Sequence, residues 1–407
     1  MTYVPVTIIG GGAVGVAIAY ELSKDLSDKL VVIDKNTRNL TNNQSTRNSG
    51  VVHAGLYYDK KIMPNKASFC VEGNRLMYEF AKEHDIPFSQ VGKLVVANGL
   101  NDDRTLDYFL NIANQNNVPG IRTIDRAEAK EMEPNIECTS ALYVPSSGVI
   151  DPISYVSRLS QLTESNQSYI LKGTEVISIT PKNKCFEVTT FSQGRIETFK
   201  TDVVINSAGL YSDDVARMIN PDSPYNILPI RGESMKFYTH FPGQDNNSGI
   251  EMNGMSVYPA PYGISDDGQR LNVSYSEVLD LAAKAEANPT IGVHLTPMFD
   301  YVDGVPKIGK TVLVGPTFKV GVGKEDYQQV RLEDYYINLV KNFFPNLSAD
   351  HISPLQTGIR AKLDGFSDFI IERDANHPNF VNLLGIDSPG LTSSLAIAKY
   401  VRDELLR

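Results

Sequence analysis

The chain has 407 residues, 42% of them hydrophobic and 21% charged, with a formal net charge of −10. Such a length suits two joined domains better than one simple core, and no run approaches the roughly 18 apolar residues of a membrane helix. The acidic balance argues against nucleic-acid binding, and three widely spaced cysteines (Cys70, Cys138, Cys185) show neither metal nor redox spacing. No signal-like stretch opens the sequence, so reduced thiols in a cytoplasmic protein are expected, peripheral at a membrane only if it is linked to a quinone.

Val6 to Ile9 is a short apolar strand. Gly10, Gly12 and Gly15 follow in the spacing G-x-G-x-x-G, then a helix-forming stretch from Ala17 to Leu26, then a second apolar run from Leu30 to Ile33 capped by Asp34. Strand, glycine turn, helix, strand and acid form the layout that holds an adenine dinucleotide. Gly10 permits the tight turn, Gly12 lets backbone approach the pyrophosphate, and Gly15 lets the helix pack on the sheet. Ala13 and Val14 lie at the helix start, whose free N–H groups and partial positive charge face the phosphates. Asp34, followed by Lys35, is placed to accept hydrogen bonds from the ribose.

Further along, Met63 to His84 reads as an amphipathic helix and Gly92 to Ala97 as a strand. Asp102 to Asn116 and Arg126 to Met132 read as helices. Ala141 to Gly148 is a strand and turn, and Asp151 to Leu162 a helix with Asp151 as N-cap and Pro152 at its first position. Glu175 to Ile179, Cys185 to Thr190 and Arg195 to Lys200 fit a three-stranded meander, and Val203 to Asn206 a buried strand. From 230 to 314 the pattern is strands with turns: Ser234 to Tyr238, Met255 to Tyr258, Leu271 to Tyr275, Ile291 to Thr296 and Thr311 to Val314. Residues 325 to 345 return to helix, and Gly385 to Arg407 is a strand and loop feeding a last helix that starts near Pro389 and Gly390. The expected fold is α/β (α+β). A discontinuous Rossmann-like nucleotide domain (1–85, 146–225, 351–407) joins a mostly antiparallel sheet domain (86–145, 226–350) that roofs the reaction site.

The opening unit alone does not choose between FAD and NAD; three later segments favour FAD. Gln44 to Gly50, with Ser45, Thr46, Arg47, Ser49 and Gly50, offers small side chains and backbone N–H groups to an extended cofactor. Asp202 to Tyr211 places a small-residue turn, with Ala208 and Gly209, after a mid-chain strand. Ser388-Pro-Gly-Leu-Thr-Ser-Ser394 opens the last helix, putting Pro389, Gly390, Leu391, Thr392 and Ser393 where a positive helix end stabilises charge on a reduced flavin. Val176 and Gly358 complete the expected cofactor set. There is no second G-x-G-x-x-G, since Gly321-Val-Gly323 lacks the third glycine. One dinucleotide is therefore expected, with oxygen, a quinone or a carrier protein as electron acceptor.

These segments resemble the D-amino-acid-oxidase-like FAD oxidoreductases over nearly the whole chain, and most closely their L-2-hydroxyglutarate dehydrogenase/oxidase branch. Asn48-Ser-Gly-Val-Val-His-Ala-Gly-Leu-Tyr-Tyr58 discriminates best. Asn206-Ser-Ala-Gly-Leu-Tyr-Ser212, Pro229-Ile-Arg-Gly-Glu233, Gly292-Val-His-Leu-Thr-Pro297 and Gly358-Ile-Arg-Ala361 are partly shared with glycine oxidase and FAD-linked glycerol-3-phosphate dehydrogenase. Residues 297 to 315 and the run Ser45-Thr46-Arg47 depart from the family pattern, which leaves the hydroxy acid open.

The resemblance implies oxidation of a 2-hydroxy acid by hydride transfer to flavin N5. That chemistry needs a base for the hydroxyl proton and cations for the carboxylate. His53, which the resemblance places beside the isoalloxazine, and His294 on the roof sheet are the candidate bases. Arg360 is the carboxylate anchor, able to make two parallel bonds. Arg231, Tyr57 and Tyr258 are weaker substrate-binding candidates; Arg231 could instead hold a strand turn. His84, His240, His351 and His377 have ordinary polar surroundings, and no metal is expected. FAD is expected to be non-covalent, since no cysteine falls in the cofactor loops. The alternatives are a glycerol-3-phosphate dehydrogenase, an amino-acid oxidase, or a non-catalytic flavoprotein.

Overall fold

The structure, a computed structural model, describes residues 3–26, 29–36, 43–240, 249–265 and 269–406. The strand Val6–Ile9 sits inside a six-stranded sheet, flanked by Leu30–Asp34 and Val203–Asn206. Tyr169–Lys172 extends one side; Phe380–Leu384 and Ile370–Arg373 extend the other. All pairs are parallel except the outermost, Ile370–Arg373 with Phe380–Leu384. The first two strands are buried throughout, which explains their unbroken apolar runs.

Alternate residues of these strands face two different layers. Ile8, Val32 and Ile205 pack on the helices Ala13–Ser23, Pro64–Glu83, Pro152–Ser165 and Gly390–Tyr400. Ile9, Val31 and Ile33 pack on the antiparallel meander Glu175–Lys182, Cys185–Ser192, Arg195–Thr201, through Val176, Phe186 and Val188. Asp151 caps its helix as expected, accepting from the Ile153 and Ser154 N–H groups ahead of Pro152.

A second sheet of nine strands is mostly antiparallel. Its middle runs Ile227–Tyr238, Val305–Gly315, His294–Val302, Ser256–Pro259, Lys93–Ala97, Ser140–Val144. Ser256–Pro259 and Lys93–Ala97 pair in parallel, with Ser256 opposite Lys93 and Tyr258 opposite Val95. Val257 lies opposite Leu295. Side chains alternate across a strand, so Lys93, Tyr258 and His294 leave consecutive strands on one face. Leu94, Val257 and Leu295 point to the other, where Tyr336 and Phe344 cover them.

Several elements differ from the sequence pattern. Leu271 to Tyr275 is no strand. A helix occupies Tyr275–Ala283, and the Glu277 carboxylate accepts the Ser274 N–H at 2.8 Å in a capping box. The helix expected over 325–345 contracts to Glu333–Val340, because residues ahead of it are drawn along the cavity described below. Ser353–Leu363 is a long strand on Ile227–Tyr238, hidden in the sequence by Pro354 and Gly358. The strand before the last helix is Phe380–Leu384 and ends ahead of Gly385.

The last helix crosses Pro64–Glu83 at Gly73, where an added Cβ would lie 2.2 Å from the Thr392 carbonyl oxygen. Gly73→Ala is therefore expected to destabilise the fold by about 1–3 kcal/mol through overpacking. Thermal unfolding checks this; an unchanged midpoint would show that the two helices separate easily.

Candidate functional site

The glycine turn is built by close contact. Gly10 has φ +101, and a Cβ there would meet the Ser207 carbonyl oxygen at 2.4 Å. A Cβ on Gly15 would sit 1.9 Å from the Gly10 carbonyl oxygen, so Gly15 sets the helix against the turn and stays behind it. Gly12 is the helix N-cap and supplies no side chain. Ser45 Oγ accepts the Ala13 N–H at 2.8 Å and pins the following loop to the helix end.

A continuous cavity of about 520 Å³ runs from this turn to the larger sheet. Gly10, Gly12, Ala13 and Val14 line its first end, with Asp34 and Lys35. Asp34 is held by the Gly11 N–H at 2.7 Å and by both Asn36 donors at 2.8 Å. Oδ1 takes both Asn36 donors, and Oδ2, with the Gly11 N–H alone, keeps acceptor capacity for a ribose hydroxyl. Ser45, Arg47, Ser49, Val176, Ala208 and Gly209 form the adjoining walls. Lys35 Nζ lies 3.3 Å from the Tyr211 ring centroid, and Arg47 stacks on Tyr327 at 4.5 Å. Tyr327 and Glu325, which sequence reading passed over, line the same stretch.

At the far end, Gly358, Arg360, Pro389, Gly390 and Leu391 meet His53, Tyr258 and His294. Four other expected cofactor contacts stand behind the lining. Thr46 turns back on the Asn43 carbonyl. Gly50, at φ +66, packs on the Ile150 carbonyl, where a Cβ would come within 2.5 Å. Thr392 Oγ1 accepts the His53 N–H at 3.0 Å and donates to the Val51 carbonyl at 3.3 Å. Ser393 is fully buried with an unpartnered hydroxyl.

FAD fits the residues present. The turn offers bare backbone where a Cβ would collide, the first helix has no N-cap side chain and only its Ala13 N–H is taken, by Ser45, and the last helix, also without a side-chain cap, opens beside His53. His53 Nδ1 is buried and without a hydrogen-bond partner among the described residues. Its Nε2 lies 3.3 Å from Ser388 Oγ, which the sequence reading named as the start of the last-helix segment without giving it a role.

Burial holds His53 well below the ordinary histidine value, and the charges of Lys93 and Arg360 push it the same way. His294 is lowered well below its usual value too, by burial first, then by Lys93, His53 and Arg360. Both imidazoles are therefore neutral at neutral pH, the form that accepts a proton. His294 stacks on Tyr258 at 3.8 Å and 9°, with Thr296 Oγ1 3.1 Å from its Nδ1. Arg360 lies over the Phe318 ring at 4.3 Å. It makes no ion pair among the described residues, which leaves its donors for a ligand.

Two expected substrate contacts lie outside the cavity lining. Arg231 is 4% exposed, and its guanidinium is taken by Glu233 at 3.0 Å and Asp326 at 2.7 Å. It fastens strand to loop, with all three guanidinium nitrogens engaged by carboxylates. Tyr57 packs edge-on against Phe109, its buried hydroxyl unpartnered.

Sequence reading also missed Lys93, fully buried on the Tyr258 side of the sheet. The available signal was a lysine heading an otherwise apolar buried strand. None of the three cysteines lines the cavity, and no described helix is long and apolar enough to cross a membrane.

Comparison with known proteins agrees with this geometry. The family model described as FAD dependent oxidoreductase matches residues 5–404. The chain is 31% identical to a mitochondrial L-2-hydroxyglutarate dehydrogenase of Arabidopsis thaliana, over 99% of this chain and 84% of that protein. It is 30% identical to a glycerol 3-phosphate dehydrogenase of Caloramator mitchellensis, over 98% and 73%. The solved L-alpha-glycerophosphate oxidase of Mycoplasma pneumoniae, with FAD bound, shares the fold at a TM-score of 0.80 and 24% identity, covering 100% of this chain and 96% of that one. The chain belongs to the family of FAD dependent oxidoreductases.

Proposed function

We propose that this protein oxidises a 2-hydroxy acid, with L-2-hydroxyglutarate the first substrate and 2-oxoglutarate its product. The observation that carries the reading is an arginine with no ion pair among the described residues beside two neutral histidines, in a chamber whose carboxylate Asp387 is already tied to Lys66 at 2.8 Å. The name carried by the Arabidopsis relative supports the same substrate.

FAD, when bound, supplies the two-electron acceptor for the hydrogen on the α-carbon. The glycine turn, Asp34 and the loop through Ser45 hold its dinucleotide, and the last helix lies under its redox-active end. Arg360 binds the substrate carboxylate through parallel N–H bonds and so orients the α-carbon. His53 takes the hydroxyl proton. Ser388 and the Thr392 hydroxyl, bonded to the His53 backbone, fix where the imidazole stands. His294 and Tyr258 wall the opposite side and exclude water. With a single dinucleotide site, the electrons leave to oxygen, a quinone or a carrier protein. FAD is held without a covalent bond to cysteine.

Glycerol 3-phosphate is the second reading, favoured by the name of the Caloramator relative. An anaerobic absorbance titration of the FAD-loaded protein decides between them. L-2-hydroxyglutarate is expected to bleach the flavin band; bleaching by glycerol 3-phosphate alone would overturn the assignment.

His53→Ala should lower kcat/KM by at least about a hundredfold with flavin retained. Arg360→Lys, which keeps charge but loses the planar fork, should act mainly by raising KM. Rates near those of the unaltered enzyme would remove either residue from its role. Because His53 is depressed, kcat/KM should hold as the pH falls through about 6.5, the unperturbed value, and decline only below it. A pH profile falling at or above that value would show that a different group is the base. Acid precipitation should leave the flavin in the supernatant, and flavin that stays with the pellet would contradict non-covalent binding.

A further inference from the structure

Lys93 is fully buried, and its ammonium nitrogen has no hydrogen-bond partner among the described residues. It forms no ion pair among those residues either. The side chain leaves the larger sheet on the face that carries Tyr258 and His294, both of which line the cavity. His294 covers one face of the Tyr258 ring at 3.8 Å. The ammonium lies 4.0 Å from the same ring centroid, so it takes the opposite face. Tyr57 closes around it, with its ring centroid 5.5 Å away and its buried hydroxyl also unpartnered. Contact with aromatic faces replaces only part of the hydration an ammonium gives up on burial.

The groups around Lys93 are Cys70 from the helix Pro64–Glu83, Tyr57 and His53 from the loop before it, and Tyr258 and His294 from neighbouring strands. None is a carboxylate. Arg360 lines the cavity, while Lys93 and Tyr57 stand behind its Tyr258 wall, and Lys93 has no anion among the described residues. A ligand with one carboxylate satisfies Arg360 alone. A ligand whose second acidic group reaches past Tyr258 would give Lys93 and the Tyr57 hydroxyl the acceptor they lack.

We propose that Lys93, with Tyr57, recognises the remote acidic group of the substrate and so makes the site selective for acids that carry two negative charges. The inference rests on the reading of the site as a hydroxy-acid site and specifies what the far end of the substrate must be. Burial draws Lys93 down to about 7, with the Cys70 thiol opposing. Closing an anion onto the amine raises its proton affinity again. Binding a diacid above that pH should therefore take up a proton.

The test uses FAD-loaded protein and two acids that cannot be oxidised at an α-hydroxyl, glutarate and pentanoate. They have equal chain length and differ in the second carboxylate. Calorimetry at pH 8 in two buffers of different ionisation enthalpy gives both affinity and proton count. Glutarate should bind at least about thirtyfold more tightly than pentanoate and take up about one proton. Lys93→Met should cut glutarate affinity at least about thirtyfold, change pentanoate by less than about threefold, and abolish the uptake.

Equal affinity for the two acids in the unaltered protein would overturn the proposal, as would equal loss of both in the variant or glutarate binding that the variant leaves intact. If Lys93→Met fails to retain flavin, proton uptake by the unaltered protein decides, and its absence rejects the proposal. Flavin bleaching by L-2-hydroxyglutarate is scored separately. No bleaching alongside Lys93-dependent glutarate binding retires that substrate and leaves diacid recognition standing. Bleaching with a glutarate site indifferent to Lys93 does the reverse.

Discussion

The last helix can open under the cavity only because Gly73 lets the Thr392 backbone come within the space of a missing methyl group. From that position one hydroxyl ties the last helix to the stretch 51–53 at two points. Thr392 Oγ1 accepts from the His53 backbone and donates to the Val51 carbonyl, while the Ser388 hydroxyl approaches the His53 ring from the same helix entry. The loop bearing His53 has few other anchors at this point: Asn74 and the Cys70 thiol both bond to its carbonyl. Helix packing and the placing of an imidazole are thus one constraint, because any separation of the two helices moves the histidine.

Electrostatics gives the chamber its second organising feature. The chain carries a net charge of −10, yet at the inner end of the cavity Arg360 meets neutral imidazoles and a phenol, and the carboxylate there, Asp387, is paired with Lys66. In a low-dielectric interior a few charges dominate what the far larger surface charge does at a distance. Burial first, and then the charges of Lys93 and Arg360, hold His53 and His294 deprotonated, and on the proposed reading the same two cations would attract an acid. An anionic substrate arriving there relieves both cations and restores some basicity to the histidine that would take its proton.

Much of this was legible in the residues. The glycine turn, the first two strands, the meander and the capped helix at Asp151 follow from local spacing alone, because each is decided by contacts within a few residues or by burial on both faces. The segments around Ser45, Ala208 and Gly390 were recognisable as small-residue turns, and the structure brings them to one cavity. What sequence could not show is set by distant partners. Arg231 looked like a ligand contact until Glu233 and Asp326 claimed its donors. Lys93 looked like the polar end of a strand until the Tyr258 ring covered it. Ser353–Leu363 is a strand because Ile227–Tyr238 lies beside it, not because of its own composition. The helix at Tyr275 was available in the Ser274-x-x-Glu277 signal, and a strand reading overrode it.

The order of the strands carries a consequence for how the protein is made. Val6–Ile9 and Leu30–Asp34 leave the ribosome long before Phe380–Leu384, which docks on Val203–Asn206 in the same sheet. The cavity wall at Gly390 and Leu391 comes later still, from the helix Gly390–Tyr400. A nascent chain therefore carries its phosphate turn through almost the whole of translation with no closed pocket around it. Its apolar strand edge stays open, a species on which chaperones act. The cavity takes its full lining only once the segment through Leu391 is in place.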